Sequence, residues 1–265
     1  MVREVTDVGL LEGQMALVTG IANKRSIGWG IAKAFDREGA TLAVTYQSPR
    51  LKENLDRLLP ELSRPPLVFP LDVTDSESLK ELRDVLTREW GRLHTLVHSI
   101  AHANTEDLSG RFLDTEREGY LMALDISAYS LTALTRELHA LLVAAGGGSV
   151  LTMTYQGSVR VIPNYNVMGV AKAALESSVR YLAWDLGKDR IRVNAVSAGP
   201  IKTLAASGVK GISDALHAIE ERAPIPEKIS PDDVGNAAAF LASDWARHIT
   251  GHVLYVDSGF HIMGF

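Results

Sequence analysis

The chain contains no cysteine, which excludes disulfide bonds, thiolate metal sites and a cysteine nucleophile. It also has no run of 18 apolar residues, so the sequence predicts no membrane-spanning helix. Residues 1–13 lack the basic start and apolar core of a secretory signal. The formal net charge of −5 opposes nonspecific binding to nucleic acid. We therefore expect a cytoplasmic protein with neither a membrane nor a nucleic-acid partner.

Short apolar runs alternate along the chain with longer amphipathic segments. Hydrophobic residues make up 46% of the 265 residues, enough for a substantial core. This alternation is typical of a doubly wound, Rossmann-like α/β fold, with one seven-stranded parallel sheet and helices on both faces. We predict a single domain over residues 1–265. The expected strands are 15–19, 41–46, 67–71, 95–100, 149–154, 192–197 and 253–256, and the expected helices are 27–37, 50–62, 76–90, 116–144, 166–186 and 231–242.

The segment 201–227 follows the sixth predicted strand and has no clear strand pattern of its own. Long insertions of this kind often cover the mouth of a binding site. We expect it to form a substrate-binding lid.

A tyrosine and a lysine, Tyr165 and Lys172, lie seven residues apart at the start of an alanine-rich helical pattern. Seven residues make almost two helical turns, so the pattern predicts both side chains on one face. A tyrosine here is often a half-buried core residue, and a helical lysine usually lies on a solvated face. Lys172, however, has apolar neighbours on both sides, and a buried ammonium needs an anionic or hydroxylic partner.

The spacing of this pair indicates a type of reaction. A phenol beside an ammonium suits hydride transfer to a carbonyl-conjugated substrate. Compared with a spacing of four residues, a spacing of seven displaces the tyrosine by about 4.5 Å along the helix. That displacement suits an acceptor oxygen lying beyond the carbon that takes the hydride, as in reduction of a conjugated C=C bond. A second tyrosine, Tyr155, follows the fifth predicted strand, where active sites of open α/β sheets gather.

A glycine-bearing turn follows the first predicted strand, from Gly20 through Ser26 and Ile27 to Gly28 and Gly30. Such a turn lets backbone NH groups approach a pyrophosphate at a helix N-terminus. Its spacing differs from the usual G-x-G-x-x-G pattern, and small residues also serve to pack a helix against a sheet. Both interpretations stay open for the turn taken alone.

Two further polar residues follow the second and third predicted strands. Gln47 could bond a ribose hydroxyl or be a solvated loop residue. The nearby Arg50 could accept NADPH, so the choice between NADH and NADPH stays open here. Asp72 could bond an adenine amino group or cap the helix that begins near Ser76.

Three histidines at four-residue spacing do not predict a metal site. His94, His98 and His102 run through a predicted strand, where that spacing separates side chains by about 13 Å. His248 and His252 flank a Thr-Gly turn signal. We expect no metal.

Taken together, these motifs resemble the bacterial NADH-dependent enoyl-acyl carrier protein reductases, within the divergent short-chain dehydrogenase/reductases. The resemblance runs through nearly the whole chain. Its motifs are Gly20 with Ser26-Ile27, Thr45-Tyr46-Gln47, Asp72-Val73, His98-Ser99-Ile100-Ala101, Asp125-Ile126-Ser127, Tyr155, Pro163-Asn164-Tyr165-Asn166-Val167-Met168-Gly169, Lys172, Ser197-Ala198-Gly199-Pro200-Ile201 and Thr203-Leu204-Ala205-Ala206-Ser207-Gly208.

The resemblance implies a cofactor, a substrate and an assembly. The cofactor is NADH, the substrate is an enoyl thioester on acyl carrier protein, and the assembly is a homotetramer. Ala103 would lie against the acyl group together with Tyr155 and Tyr165. NADH would be held by Gly20, Ser26, Ile27, Gln47, Asp72, Val73, Ile100, Lys172, Ile201, Lys202, Thr203, Leu204 and Ala205.

The implied mechanism places hydride on the β-carbon of a trans-2-enoyl thioester and negative charge on the thioester oxygen. Tyr165 would hydrogen-bond that oxygen, Lys172 would hold the nicotinamide ribose, and Tyr155 would line the pocket and assist. The alternatives are a β-ketoacyl or other carbonyl reductase, and a catalytically silent NAD-binding regulator. Gly169 stands where a carbonyl reductase carries its lysine, and retention of both tyrosines and Lys172 speaks against a silent protein.

The chain departs from the family pattern at a few positions. His102 replaces the usual aromatic, and Ile212 and Ala215 replace bulkier residues of the lid. Positive charge for carrier docking falls mainly on Lys210, with possible help from Lys202 and Arg222, because Ser213 and Asp214 stand where basic residues are common.

Overall fold

Seven β-strands form a single parallel sheet in the computed structural model, which describes residues 8–203, 217 and 221–264. The strands are β1 (Met15–Val18), β2 (Thr41–Tyr46), β3 (Leu67–Pro70), β4 (Thr95–His98), β5 (Gly148–Thr154), β6 (Ile191–Ala198) and β7 (Val253–Val256). Their order across the sheet is β3-β2-β1-β4-β5-β6-β7, and every adjacent pair runs parallel. The predicted fold class is therefore confirmed.

Helices connect these strands as parallel pairing requires. They are α1 (Ile27–Arg37), α2 (Pro49–Asp56), α3 (Ser76–Glu89), α4 (Arg117–Leu124), α5 (Ser130–Ala144), α6 (Asn166–Leu186) and α7 (Pro231–Ala242). Local sequence explains several of their starts. Asp75 caps α3 by accepting from the backbone NH of Glu77, and Ser230 forms a capping box with Asp233 ahead of Pro231 in α7.

Two apolar cores lie on opposite faces of the sheet. Alternate residues of each strand enter one core or the other, because side chains along a strand point to opposite faces. On one face α1, α2 and α7 supply buried residues such as Trp29 and Phe35. On the other, α3, α5 and α6 supply Leu86, Leu134 and Leu175. Among the described residues, no helix is long and apolar enough to cross a membrane.

Two predicted helices differ from the structure. The helix expected over 50–62 ends at Asp56, and a short 3-10 turn, Leu59–Glu61, follows with Pro60 in it. Proline has no amide hydrogen for the helical ladder, so the α-helix stops before it. The helix expected over 116–144 contains a π-helical turn, Asp125–Tyr129, between α4 and α5. Most of the expected lid, residues 204–216 and 218–220, lies outside the described residues.

The sheet order places a crevice beside β1. This strand pairs with β2 on one side and β4 on the other. The chain builds β2 and β3 on one side of β1 and then crosses to the other side to form β4. In open α/β sheets, ligands bind outside the carboxyl ends of the strands at this switch point.

Candidate active site

A cleft of about 1150 Å³ opens at the carboxyl ends of the strands. Almost all of the predicted site residues within the described chain line it. They are Gly20, Ser26, Ile27, Gln47, Asp72, Val73, Ile100, Ala103, Tyr155, Tyr165, Lys172, Ile201 and Thr203. Lys202 is exposed and is not among the lining residues. Leu204 and Ala205 lie outside the described part of the chain.

The turn after β1 is organised by Gly20 and by the Ser26 hydroxyl. Gly20 has a φ of +78°, and a Cβ there would overlap the carbonyl oxygen of Ser99. The Ser26 hydroxyl accepts from the backbone NH groups of Ala22 and Asn23, both at 3.0 Å, and makes no capping bond to α1. The first NH groups of α1 therefore stay without a side-chain cap at the edge of the cleft, which suits an anion.

The other two glycines of this turn serve packing. A Cβ on Gly28 would lie 2.9 Å from the carbonyl oxygen of Thr19, and one on Gly30 would overlap the backbone of Pro231 in α7. Of the three glycines, Gly20 lines the cleft, while Gly28 and Gly30 allow α1 to lie close to the sheet and to α7.

Asp72 turns towards its own loop at the end of β3. One of its carboxylate oxygens accepts from the NH of Thr74 at 2.9 Å and from its hydroxyl at 2.7 Å. The cap of α3 is Asp75, so the interpretation of Asp72 as a helix cap is wrong. Asp72 lines the cleft. Gln47 is exposed on the rim of the same cleft.

The two tyrosines meet edge to face. Their ring centroids are 5.1 Å apart, with the planes at 74°. Tyr165 is the residue directly before α6, which spans the predicted 166–186, and it lines the same cleft as Lys172. Burial raises the pKa of both phenols, so both stay protonated at neutral pH.

Lys172 is buried, with 6% of its surface exposed. Its ammonium donates to the carbonyl oxygen of Met153 in β5 at 2.8 Å. Burial lowers the pKa of Lys172 to about 8, and the charge of Glu176 acts in the opposite direction. The lysine is therefore largely charged at neutral pH and close to titration.

Sequence reasoning missed two buried polar groups beside the cleft. Glu176 lies one helical turn after Lys172 and accepts from the Thr154 hydroxyl at 2.7 Å. Its position four residues after the lysine was a readable signal, because residues i and i+4 are neighbours on a helix. Ser127 in the π-helical turn accepts from the NH of His102 at 2.9 Å and donates to its carbonyl at 3.0 Å. This exchange ties the loop after β4 to the helix, and no spacing rule indicates it.

The histidines of the predicted strand have structural partners. His94 accepts from the NH of Met15 through Nδ1 at 3.0 Å. His98 is fully buried between the Thr152 and Ser130 hydroxyls, and burial lowers its pKa to about 3, so it is neutral. Within the described residues, no group of three or more histidine and carboxylate side chains is placed to hold a metal ion.

Known proteins are similar to this chain in both sequence and fold. A family model described as enoyl-(acyl carrier protein) reductase matches residues 20–261. The NADH-dependent enoyl-acyl-carrier-protein reductase of Aquifex aeolicus is 50% identical over 97% of this chain and 94% of its own, and that of Bacillus cereus is 51% identical over 96% and 99%. A crystal structure of the Bacillus cereus enzyme with NADP+ and an indole naphthyridinone superposes with a TM-score of 0.94, at 50% identity over 97% of this chain and 100% of that one.

Proposed function

The chain belongs to the enoyl-acyl carrier protein reductase family, and on that premise we propose which of its residues carry the chemistry. The reaction is reduction of the trans-2 double bond of an enoyl thioester, in fatty acid biosynthesis, and the thioester is carried on acyl carrier protein. One observation supports the assignment most strongly. Tyr155, Tyr165 and Lys172 line a single cleft together with the glycine turn that follows β1.

The cofactor is NADH, as in the names of the Aquifex and Bacillus cereus relatives. It supplies hydride for the β-carbon of the substrate. The turn at Gly20 and Ser26 fits a pyrophosphate, because it lines the cleft at the N-terminus of α1, which has no side-chain cap. Asp72 suits the adenine amino group and Gln47 a ribose hydroxyl. We assign the remaining contacts to Ile27, Val73, Ile100, Lys172, Ile201, Lys202, Thr203, Leu204 and Ala205.

Tyr165 stabilises the charge that accumulates on the thioester oxygen. Because burial raises the pKa of this phenol, it stays protonated and donates a hydrogen bond to that oxygen. A preorganised donor of this kind contributes a few kcal/mol to the transition state, because it needs no reorganisation when the charge appears. Tyr155 contacts the Tyr165 ring and lines the pocket beside Ala103, so both orient the acyl group.

Lys172 holds the nicotinamide ribose and contributes positive charge. Its bond to the Met153 carbonyl fixes the ammonium at the floor of the cleft. The other two donor hydrogens of the ammonium stay available for a ribose hydroxyl.

The competing carbonyl-reductase interpretation requires a lysine at position 169. Gly169 lies against the backbone of Gly157, where a Cβ would come within 2.8 Å of its carbonyl oxygen. No lysine side chain fits there without moving the helix. This packing favours the enoyl reaction over ketone chemistry. A catalytically silent NAD-binding regulator would have no need of the two tyrosines that line the cleft.

We further propose a single domain that assembles as a homotetramer in the cytoplasm. The outer faces of α5 and α6 carry large exposed apolar side chains, among them Trp184 (83% exposed), Tyr181 and Val143. Such side chains usually mark an interface. Light scattering should give four times the chain mass of 28.8 kDa.

The Tyr165→Phe variant tests the central role directly. Loss of the hydroxyl removes the donor to the thioester oxygen but leaves the ring contact with Tyr155. With crotonyl thioester we expect the turnover number to fall about 100-fold. The dissociation constant for NADH should stay within about twofold, because the interaction is made in the transition state. An unchanged turnover number would rule out this role.

A further inference from the structure

A buried carboxylate lies beside the catalytic ammonium, and the proposed reaction does not use it. Glu176 is 5% exposed and occupies the helical position one turn after Lys172. A carboxylate or an ammonium buried alone costs several kcal/mol, whereas a buried pair compensates part of that cost. The burial of both charged groups on one face of α6 therefore suggests that Glu176 and Lys172 compensate each other's charge.

Two side-chain bonds hold this face of α6 against the end of β5. The Lys172 ammonium donates to the Met153 carbonyl, and the Thr154 hydroxyl donates to a carboxylate oxygen of Glu176 at 2.7 Å. The two contacts are made by successive residues of the strand, immediately before Tyr155. Glu176 thus anchors the strand end that presents Tyr155 to the cleft, and it shares one face of α6 with Lys172.

The other titratable groups around the pair carry no compensating charge. His98 on β4 is neutral, and its two ring nitrogens are bonded to Thr152 and Ser130. Tyr155, Tyr165 and Tyr255 of β7 have raised pKa values and remain neutral phenols.

Two carboxylates remain near this end of the sheet. Asp125 of the π-helical turn lines the same cleft, and Asp257 follows β7. Asp257 accepts from the backbone NH groups of Gly259 and His261 and from the His261 ring. Of the carboxylates in the described chain, Glu176 is the one whose charge acts on the Lys172 ammonium.

We infer that Glu176 is a positioning residue for the reduction, whose buried carboxylate is the counter-charge that keeps Lys172 an ammonium and fixes α6 to the end of β5. The inference rests on the proposed role of Lys172 in holding the ribose. It assigns a function to a residue that need touch neither substrate nor cofactor.

The charge of Glu176 should affect how the activity depends on pH. An opposite charge favours the ammonium and opposes the lowering of the Lys172 pKa by burial. Activity that needs the ammonium is present below this pKa and is lost as pH rises through it. Without the carboxylate the pKa falls further, so the loss begins at lower pH.

The Glu176→Gln variant is the test, because the amide keeps the shape and still accepts from Thr154. We expect the alkaline limb of kcat/KM for crotonyl thioester to move about one pH unit lower than in the wild type. Glu176→Asp retains the charge and should move the limb much less. Glu81→Gln removes an exposed carboxylate on α3 and should leave the limb in place. A folded Glu176→Gln variant with an unmoved limb would overturn the inference.

Two further measurements distinguish a failure of the Glu176→Gln variant to fold from a failure of the proposed site. If Glu176→Gln alone fails to fold, the double variant with Lys172→Met removes both charges and should regain stability in a urea titration. A double variant no more stable than Glu176→Gln contradicts the pairing. Wild-type protein without crotonyl activity at any pH would instead overturn the proposed site. An active wild type with no response to the Glu176 change overturns only the counter-charge.

Discussion

At the scale of single residues, the environment of Lys172 was largely readable from its neighbours. Apolar residues on both sides predicted burial and a need for an anionic or hydroxylic partner. Lys172 is buried, but the group that its ammonium bonds is a backbone carbonyl. The partner itself, the carbonyl of Met153, is 19 residues away and belongs to a strand. Contacts of that kind depend on how α6 lies across β5, which local sequence does not specify.

The position of Tyr165 directly before α6 agrees with the helix predicted over 166–186. The packing of its ring over Gly157 was not readable from the sequence. A Cβ on Gly157 would lie 2.5 Å from the Tyr165 ring and 3.4 Å from the Tyr155 ring. The absence of a side chain at this glycine therefore decides where the Tyr165 ring can lie, whereas the Tyr155 ring is at ordinary contact distance.

The Gly157→Ala variant follows from this contact. The added methyl group must push the Tyr165 ring out of place, and small misplacements of a catalytic group are costly in rate. We expect the turnover number with crotonyl thioester to fall roughly 10- to 100-fold. NADH binding, measured by fluorescence, should change little because the cofactor turn lies after β1.

Gly187→Ala is the matched control, since nothing lies within 4 Å of a Cβ there. It should keep the wild-type turnover number. Equal activity of the Gly157 and Gly187 variants would show that the ring contact does not determine the position of Tyr165.

At the scale of elements, α1 and α7 approach each other through glycines. A Cβ on Gly30 would overlap the backbone of Pro231, and one on Gly235 would lie 2.5 Å from the Gly30 carbonyl oxygen. The sequence showed the glycines of α1 but not that they serve helix packing. The partner of Gly30, Pro231, lies 201 residues later in the chain.

The Gly30→Ala variant tests the packing role. Alanine favours an isolated helix, so any loss of stability must come from the contact with α7. We expect the free energy of unfolding in urea to fall by about 2 kcal/mol, because overpacking forces the two helices apart. Gly187→Ala again serves as control. A Gly30 variant as stable as that control would contradict the close approach.

The π-helical turn between α4 and α5 was invisible to periodicity. One extra residue in a turn shifts the helical face without changing composition, and such turns often occur at functional sites. Here the turn brings Asp125 and Ile126 to the cleft. The Ser130 hydroxyl donates to the Ile126 carbonyl at 2.6 Å, so its oxygen accepts from Nε2 of His98. The buried histidine thereby connects the turn to the sheet.

At the scale of the whole molecule, the fold was predictable because its strands are buried on both faces. Each strand of a parallel sheet of this kind reads as a short apolar run, and all seven expected strands are present with ends shifted by no more than two residues. The strand order adds what the linear sequence does not contain. It brings residues that follow β1, β2, β3, β4 and β5 into one cleft with α6.

The most direct test of the account compares two substrates on the wild-type protein. Oxidation of NADH, followed at 340 nm, should proceed with crotonyl thioester and not with acetoacetyl thioester, and a parallel run with NADPH measures the cofactor preference. Reduction of acetoacetyl thioester in preference to crotonyl thioester would contradict the claim that Tyr165 and Lys172 are spaced for a conjugated double bond.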